Sequence, residues 1–391
     1  KDERTAAWVG VEKICPVNHL LGLYHIARVH YLIVKNTEML RDFRFGVDAV
    51  ANDPQTVVLF LIGETSRYDH WSINGYARET SPLLKARGDE IVRFDSCYAV
   101  ANLTTVSVPF MLSRATPCNR SIYTKEKSVV EAFAEAGYRT SWIADQSFNN
   151  HFLLRIAHSC DEHFYVTDDG HRFFMDSLLL EPLERVMGHG GRQMIVLHSL
   201  GCHFKYSERY PNTFQYWSPD MKGFDIWSVL RRVDDDVEGR SKGKQANPAI
   251  LNNLRTLLVN SYDNAILYSD YFINEVIKRL EATGRDALLV YIGDHGENLL
   301  DDERNMFLHG TFSGSEYEYH VPLFVWVSRS YRLHHPQQVA AMTHNGNKRF
   351  TSMVLFHSLL ELGDIQYDSL DYRLSFCNDQ LERQEIIAER Q

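Results

Sequence analysis

Five short segments of the chain are almost continuously apolar: residues 56–62 (TVVLFLI), 139–143 (RTSWI), 193–198 (QMIVLH), 287–292 (ALLVYI) and 321–327 (VPLFVWV). A strand with one wet face alternates apolar and polar positions. Unbroken runs rich in β-branched and aromatic residues predict strands covered on both faces. Between them lie patterns of helical period. Residues 127–136 end at Gly137, and residues 177–186 carry Leu178, Leu179, Leu183 and Val186. The longest pattern, residues 248–282, repeats Leu251, Leu254, Leu258, Tyr262, Ile266, Ile273, Ile277 and Leu280 near helical spacing before Thr283-Gly284 stops it. Strands alternating with helices predict an α/β fold: three layers, with a mostly parallel central sheet and helices on both faces.

Two regions stand outside that alternation. Residues 17–34 place Leu20, Leu23, Tyr24, Ala27, Tyr31 and Val34 on one face, which predicts an amphipathic helix that docks on a core or lies on a membrane surface. Residues 231–245 (RRVDDDVEGRSKGKQ) are dense in charge and predict a solvated loop. The longest apolar run, residues 57–62, is far below the roughly 20 residues needed to cross a bilayer. The chain opens at Lys1 without Met or a signal-peptide pattern, as a processed or truncated chain would.

Composition narrows the function classes. With 44% hydrophobic and 24% charged residues the chain has a folded, globular profile. Its net charge of −10 is opposite in sign to what coats a nucleic-acid phosphate backbone, so no nucleic-acid partner is expected. The six cysteines include no CxxC pair, which excludes a zinc ribbon and a thioredoxin-type motif.

In an open parallel sheet, function gathers where the strands end. Residues 56–62 run into Gly63-Glu64-Thr65-Ser66-Arg67, and residues 287–292 into Gly293-Asp294-His295-Gly296-Glu297. Each is a strand, a glycine read as allowing a tight turn, then an acid. Glu64, Asp294 and His295 therefore form a candidate ligand set for Zn²⁺ or Mn²⁺, three donors that leave a position for a reacting oxygen. A third segment, residues 101–114 (ANLTTVSVPFMLSR), reads as a loop entering a helix near Thr104 or Thr105. A hydroxyl there would have developing negative charge stabilised by the helix N-terminus.

Taken together, residues 58–84 (VLFLIGETSRYDHWSINGYARETSPLL), 104–111 (TTVSVPFM), 291–297 (YIGDHGE) and 307–310 (FLHG) resemble the periplasmic catalytic domain of bacterial lipid A and lipopolysaccharide phosphoethanolamine transferases. This group includes polymyxin-resistance enzymes. The matches fall in order from about residue 55 to 330. The resemblance implies an alkaline-phosphatase-like fold in the sulfatase superfamily. It also implies a connecting segment with an amphipathic helix over residues 1–50 and a catalytic domain over 51–391, beyond inner-membrane helices that this chain lacks. Zinc ligands fall on Glu64, Thr104, Asp294 and His295, with Thr104 as nucleophile. His203 and His309 match further active-site histidines that hold phosphate, protonate a leaving group or bind a second zinc. The implied reaction moves phosphoethanolamine from phosphatidylethanolamine to lipopolysaccharide through a covalent threonine adduct, in a monomer at the periplasmic membrane surface. The acceptor stays open among lipid A phosphate, Kdo and heptose.

The chain departs from the family pattern at two places. Paired cysteines that flank the nucleophile loop in many members are replaced by Ala101-Asn102 and Phe110. Beside this departure the expectation is a disulfide, with Cys97 and Cys118 as the first candidate pair. The family's polar substrate stretch corresponds to Asp145-Gln146-Ser147, with no role assigned. Two other readings stay open. A metal-dependent phosphodiesterase or sulfatase-like hydrolase would share the first half-reaction, although Ser107-Val108-Pro109-Phe110-Met111 lacks the arginine of the sulfatase nucleophile pattern. A non-catalytic periplasmic binding domain would have no need of the acid, histidine and threonine set.

Overall fold

Seven strands build the central sheet of the computed structural model: β1 (Val57–Gly63), β2 (Ile91–Phe94), β3 (Arg139–Ala144), β4 (Glu162–Tyr165), β5 (Gln193–His198), β6 (Ala287–Gly293) and β7 (Leu323–Val327). Their order is β2-β7-β6-β1-β5-β3-β4, and only β7 runs antiparallel to its neighbours. The structure describes residues 28, 31, 34, 35, 37–49, 55–146, 150–166, 175–224, 248–311 and 314–385. All five predicted strands are present. The two that the pattern did not show are the edges: β2 is four residues long with Arg93 exposed, and β4 is only half buried. An edge strand has one neighbour and one open side, so its apolar signal is weak.

The unbroken apolar runs have a direct structural cause. Along β1, Val58, Phe60 and Ile62 enter one core, while Val57, Leu59 and Leu61 enter the other. Both faces are sealed by helices, so neither phase of the strand can be polar. On the first face lies helix Val129–Glu135, begun by a capping box between Ser128 and Glu131. On the second lie helix Leu180–Met187, entered through a 3₁₀ turn at Asp176–Leu179, and the 35-residue helix Pro248–Ala282.

The long helix also explains the polar motif at residues 74–84. Its buried Asp263 accepts from His70 Nδ1 (2.6 Å), the Tyr76 hydroxyl (3.0 Å) and Arg78 (2.8 Å). Asp270, two turns further along the same face, accepts from the Leu83 and Leu84 amides (both 2.9 Å) and so caps the short helix Pro82–Ala86. These residues brace the loop after β1 against the helix layer.

Of residues 17–34, only Arg28, Tyr31 and Val34 are described, each helical, so the amphipathic reading lies outside the described residues, as does the charged stretch 231–245. Among the described residues no helix is long and apolar enough to cross a membrane.

The expected disulfide is not formed. Cys97, Cys118, Cys160, Cys202 and Cys377 are all free thiols, and only Cys118 is exposed. Cys97 lies in the core beneath the sheet, where burial pushes its thiol up and it packs as a small hydrophobe. Cys118 is at the surface, so the candidate pair stays apart. Thiol titration of the denatured, unreduced protein should therefore find at least five thiols; a smaller count contradicts this arrangement.

Candidate functional site

Parallel pairing of β1 with β6 stays in register to its last pair, Gly63↔Gly293. The next residues, Glu64 and Asp294, therefore leave the sheet side by side although 230 positions separate them. The Asp294 amide donates to the Gly63 carbonyl (2.8 Å), and the Thr65 amide donates to Asp294 Oδ1 (2.9 Å). The glycines serve close approach rather than the turn that the sequence suggested. A Cβ on Gly63 would run into the Tyr291 ring, and one on Gly293 into the Ser66 carbonyl. The turn falls on Thr65 (φ 55°), whose carbonyl accepts from Tyr262 of the long helix (2.6 Å). Gly296 is required for the same reason as Gly63, since a Cβ there would collide with the Tyr317 carbonyl.

Glu64, Asp294 and His295 are all buried, and one ligand atom from each lies within 4.8 Å of the others. His295 Nδ1–H donates to the Gly296 carbonyl (2.9 Å), which turns Nε2, with its lone pair, toward the acids. Thr104 is the first residue of helix Thr104–Met111. Its Oγ1 lies 3.0 and 3.1 Å from the two Glu64 oxygens and 3.2 Å from His295 Nε2. Thr105 is exposed, so of the two candidate threonines Thr104 is the one beside the acids.

The two histidines matched by resemblance line the same site. The His309 ring lies 4.2 Å, centre to centre, from His295 and tilted 45° to it, and His203 lies 6.5 Å from His309. His309 Nδ1 pairs with buried Glu297 (3.1 Å). His203 sits just after Gly201, which packs so closely on the Glu64 backbone that a Cβ would fall 3.0 Å from the Glu64 nitrogen.

The charges fit one another. Burial raises the Glu64 carboxyl, but the facing imidazoles, His295 first, outweigh it and hold it down at about 2. Burial and then the Glu64 charge push Asp294 well above the usual carboxylate range. Burial, helped by His309, lowers His295 to about 3, so it is a neutral donor at pH 7. His309 goes the other way: burial lowers it, and Glu297 more than compensates, raising it to about 9. An imidazolium thus faces a cluster of two acids and a neutral imidazole.

Four contributors were not assigned from the sequence. Gln146, just beyond β3, donates through Nε2 to Glu64 Oε2 (3.1 Å) and to the Ser199 carbonyl (2.8 Å). Ser107 donates to the Asp294 carbonyl (2.6 Å), tying the Thr104 helix to the acid loop. It is fully buried and its hydroxyl is spent on that carbonyl, so the hydroxyl that begins the sulfatase pattern is structural here. Glu297 stands in the Gly-Asp-His-Gly-Glu run itself, yet its partnership with His309 needs the fold to be seen. Glu318, fully buried, accepts from Asn102 Nδ2, Asn298 Nδ2 (2.9 Å), the Gly310 amide (3.0 Å) and Thr311 Oγ1 (2.7 Å), joining the Thr104 and His309 loops. Orienting partners of ligands typically change metal affinity or activity about 10–100-fold. Gln146→Ala should fall in that range, as read by zinc titration against a chromogenic chelator.

The donor set suits a divalent cation. Asp294 Oδ2 is buried without a hydrogen-bond partner among the described residues, and it stands beside a second carboxylate and a neutral imidazole. Two acids, one histidine and a neighbouring threonine hydroxyl are hard-to-borderline ligands of the kind Zn²⁺ takes.

A parallel sheet between two helix layers, with acids, histidines and a helix-borne hydroxyl at its carboxyl edge, defines an alkaline-phosphatase-like α/β fold. The chain belongs to the sulfatase family, whose model matches residues 56–365. Among curated relatives it is 30% identical over 322 residues to the Kdo(2)-lipid A phosphoethanolamine 7''-transferase of Escherichia coli (strain K12), covering 80% of this chain and 51% of that protein. The chain spans about half the length of the curated relatives it matches. Among solved structures, the C-terminal periplasmic domain of EptC from Escherichia coli superposes with a TM-score of 0.72 at 25% identity, covering 87% of this chain and 90% of that one. That domain is also known as a complex with Zn. A protein of the alkaline phosphatase superfamily from Vibrio parahaemolyticus shares the fold at a TM-score of 0.54 and 13% identity, over 92% of this chain and 79% of that one.

Proposed function

We propose that this chain is the catalytic domain of a zinc-dependent phosphoethanolamine transferase. It takes the group from phosphatidylethanolamine and passes it to lipopolysaccharide at the periplasmic face of the bacterial inner membrane. Residues 51–391 would carry the chemistry and residues 1–50 the connection toward the membrane. The observation that carries the reading is the Thr104 hydroxyl, held within 3.2 Å of both Glu64 and His295 at the start of a helix. The names of its relatives supply the group transferred.

Glu64, Asp294 and His295, with Thr104 completing the set, would hold the Zn²⁺. Bound there, the ion would supply Lewis-acid stabilisation of phosphoryl charge and make the threonine hydroxyl more acidic. The remaining steps belong to the chain. Thr104 Oγ1, its proton directed at Glu64, attacks phosphorus. The Oγ1–P bond forms as the bond to the diacylglycerol oxygen breaks, and His309 as an imidazolium protonates that oxygen. His203 and the helix N-terminus hold the phosphoryl oxygens. An acceptor oxygen on lipopolysaccharide then attacks the same phosphorus as the Oγ1–P bond breaks; a hydroxyl acceptor gives its proton to the now neutral His309, and Thr104 takes its proton back from Glu64. Buried walls around Glu64, Asp294 and His295 keep water from competing in that second step.

Mass spectrometry of lipopolysaccharide from cells expressing the protein tests this reading. Added phosphoethanolamine, absent when Thr104→Ala replaces the wild type, is the expected result. Unmodified lipopolysaccharide together with free phosphoethanolamine would favour a hydrolase instead.

A further inference from the structure

One cleft on this acidic chain is lined by cations. Ser96, Tyr98, Asn347, Lys348, Arg349 and Arg383 enclose about 430 Å³, and among the described residues no carboxylate lines it. For a molecule of net charge −10 this is a local reversal of sign, and low-dielectric walls concentrate such a field. Lys348 is anchored through Nζ to the Leu381 carbonyl (2.9 Å), and the Arg349 guanidinium lies 4.9 Å over the Tyr98 ring. Arg349 Nε is buried with no hydrogen-bond partner among the described residues. Arg383 is exposed and makes no ion pair among the described residues. A buried Arg349 donor without an acceptor, in a cleft that also holds Lys348 and the unpaired Arg383, fits an anion with several oxygens.

The sheet places this cleft on the same edge as the metal site. In the register of β7, Leu323 stands opposite Phe94 of β2 on one side and Ile292 of β6 on the other. Phe94 and Ile292 are thus level, and Ser96 and Asp294 each follow two residues later. Two strand spacings separate β2 from β6, which is roughly 10 Å. A fixed wall joins the two places: His320 stacks between Tyr68 (4.1 Å), four residues beyond Glu64, and Tyr98 (4.7 Å) in the cleft.

We infer that the cleft formed by Lys348, Arg349 and Arg383 is a subsite for a phosphate group on the acceptor saccharide, one sugar or so away from the oxygen that attacks phosphorus. The inference rests on the transferase reading and deepens it: the enzyme would take acceptors that already carry an anionic group at that distance. The donor needs no such contact, so the cleft affects only the second half-reaction.

The test uses Arg383→Gln alone and the triple variant Lys348→Gln/Arg349→Gln/Arg383→Gln, each checked for an unchanged circular dichroism spectrum and zinc content. Diacylglycerol release from phosphatidylethanolamine without acceptor should stay within twofold of wild type. With bisphosphorylated lipid A as acceptor, KM should rise at least tenfold in the triple variant and severalfold in Arg383→Gln, with little change in kcat. Binding of a soluble probe, the deacylated glucosamine disaccharide bisphosphate, should weaken in parallel, and binding of its dephosphorylated form should not change. The probe arm is independent of turnover, so it decides the subsite even if the transferase reading fails on the donor step. Probe binding and acceptor KM unchanged in the triple variant would overturn the inference. So would a loss confined to binding phosphatidylglycerol vesicles, which would make the cleft a membrane-docking patch.

Discussion

Alanine at Asp294 or His295 should leave a folded protein that no longer retains zinc and has lost essentially all transfer activity. Each residue supplies one of three protein donors that lie within 4.8 Å of one another, apart from Thr104. Losing an outer-shell partner already costs about 10–100-fold, so losing a ligand should cost more than about 100-fold in metal affinity. The fold should survive, because its two cores do not depend on these side chains. Asp294→Asn adds a sharper expectation. Burial and the Glu64 charge both oppose ionisation of Asp294, so the neutral amide should raise the melting temperature of the metal-free protein while abolishing metal binding. Elemental analysis, thermal unfolding and activity after dialysis against a strong chelator check these outcomes together. Full activity with no zinc present would contradict the metal assignment.

Thr104→Ala should lower turnover by on the order of 10⁴-fold or more, since it removes the attacking oxygen itself. Thr104→Ser keeps a hydroxyl beside Glu64 and should retain partial activity. Thr105→Ala should be close to wild type, because Thr105 is exposed and only its carbonyl is used, by Asn150 (3.0 Å). Ser107→Ala should cost roughly 1–3 kcal/mol of stability by leaving the buried Asp294 carbonyl without its donor, and should not move the site of attack. This set separates the nucleophile from its neighbours. A sulfatase-type mechanism would instead place the largest loss at Ser107.

The sheet was legible because its central strands are buried on both faces, which writes their identity into runs such as VLFLI and LLVYI. The edges β2 and β4 were not, because Arg93 and the polar start of β4 break the pattern where one side of each strand is open. The chemistry was legible where function and strand end coincide: Glu64 and Asp294 each follow the last residue of a long strand, and β1 and β6 are neighbours in register. Gln146, Ser107 and Glu318 were not, since each acts through a contact across more than 50 positions of sequence or through a main-chain carbonyl. The glycines before the two acids were read as turn formers; they are present because Tyr291 and Ser66 leave no room for a Cβ. The cysteine expectation failed for a related reason, as a count of thiols says nothing of which are buried in the core and which lie at the surface.

Peptide mass spectrometry of the enzyme after incubation with phosphatidylethanolamine in detergent, with no acceptor present, bears most directly on the covalent threonine mechanism. A phosphoethanolamine adduct on Thr104 is expected, formed together with diacylglycerol, absent in Thr104→Ala and discharged when lipopolysaccharide is added. An adduct on Thr105 or Ser107, or undiminished diacylglycerol release by Thr104→Ala, would contradict it.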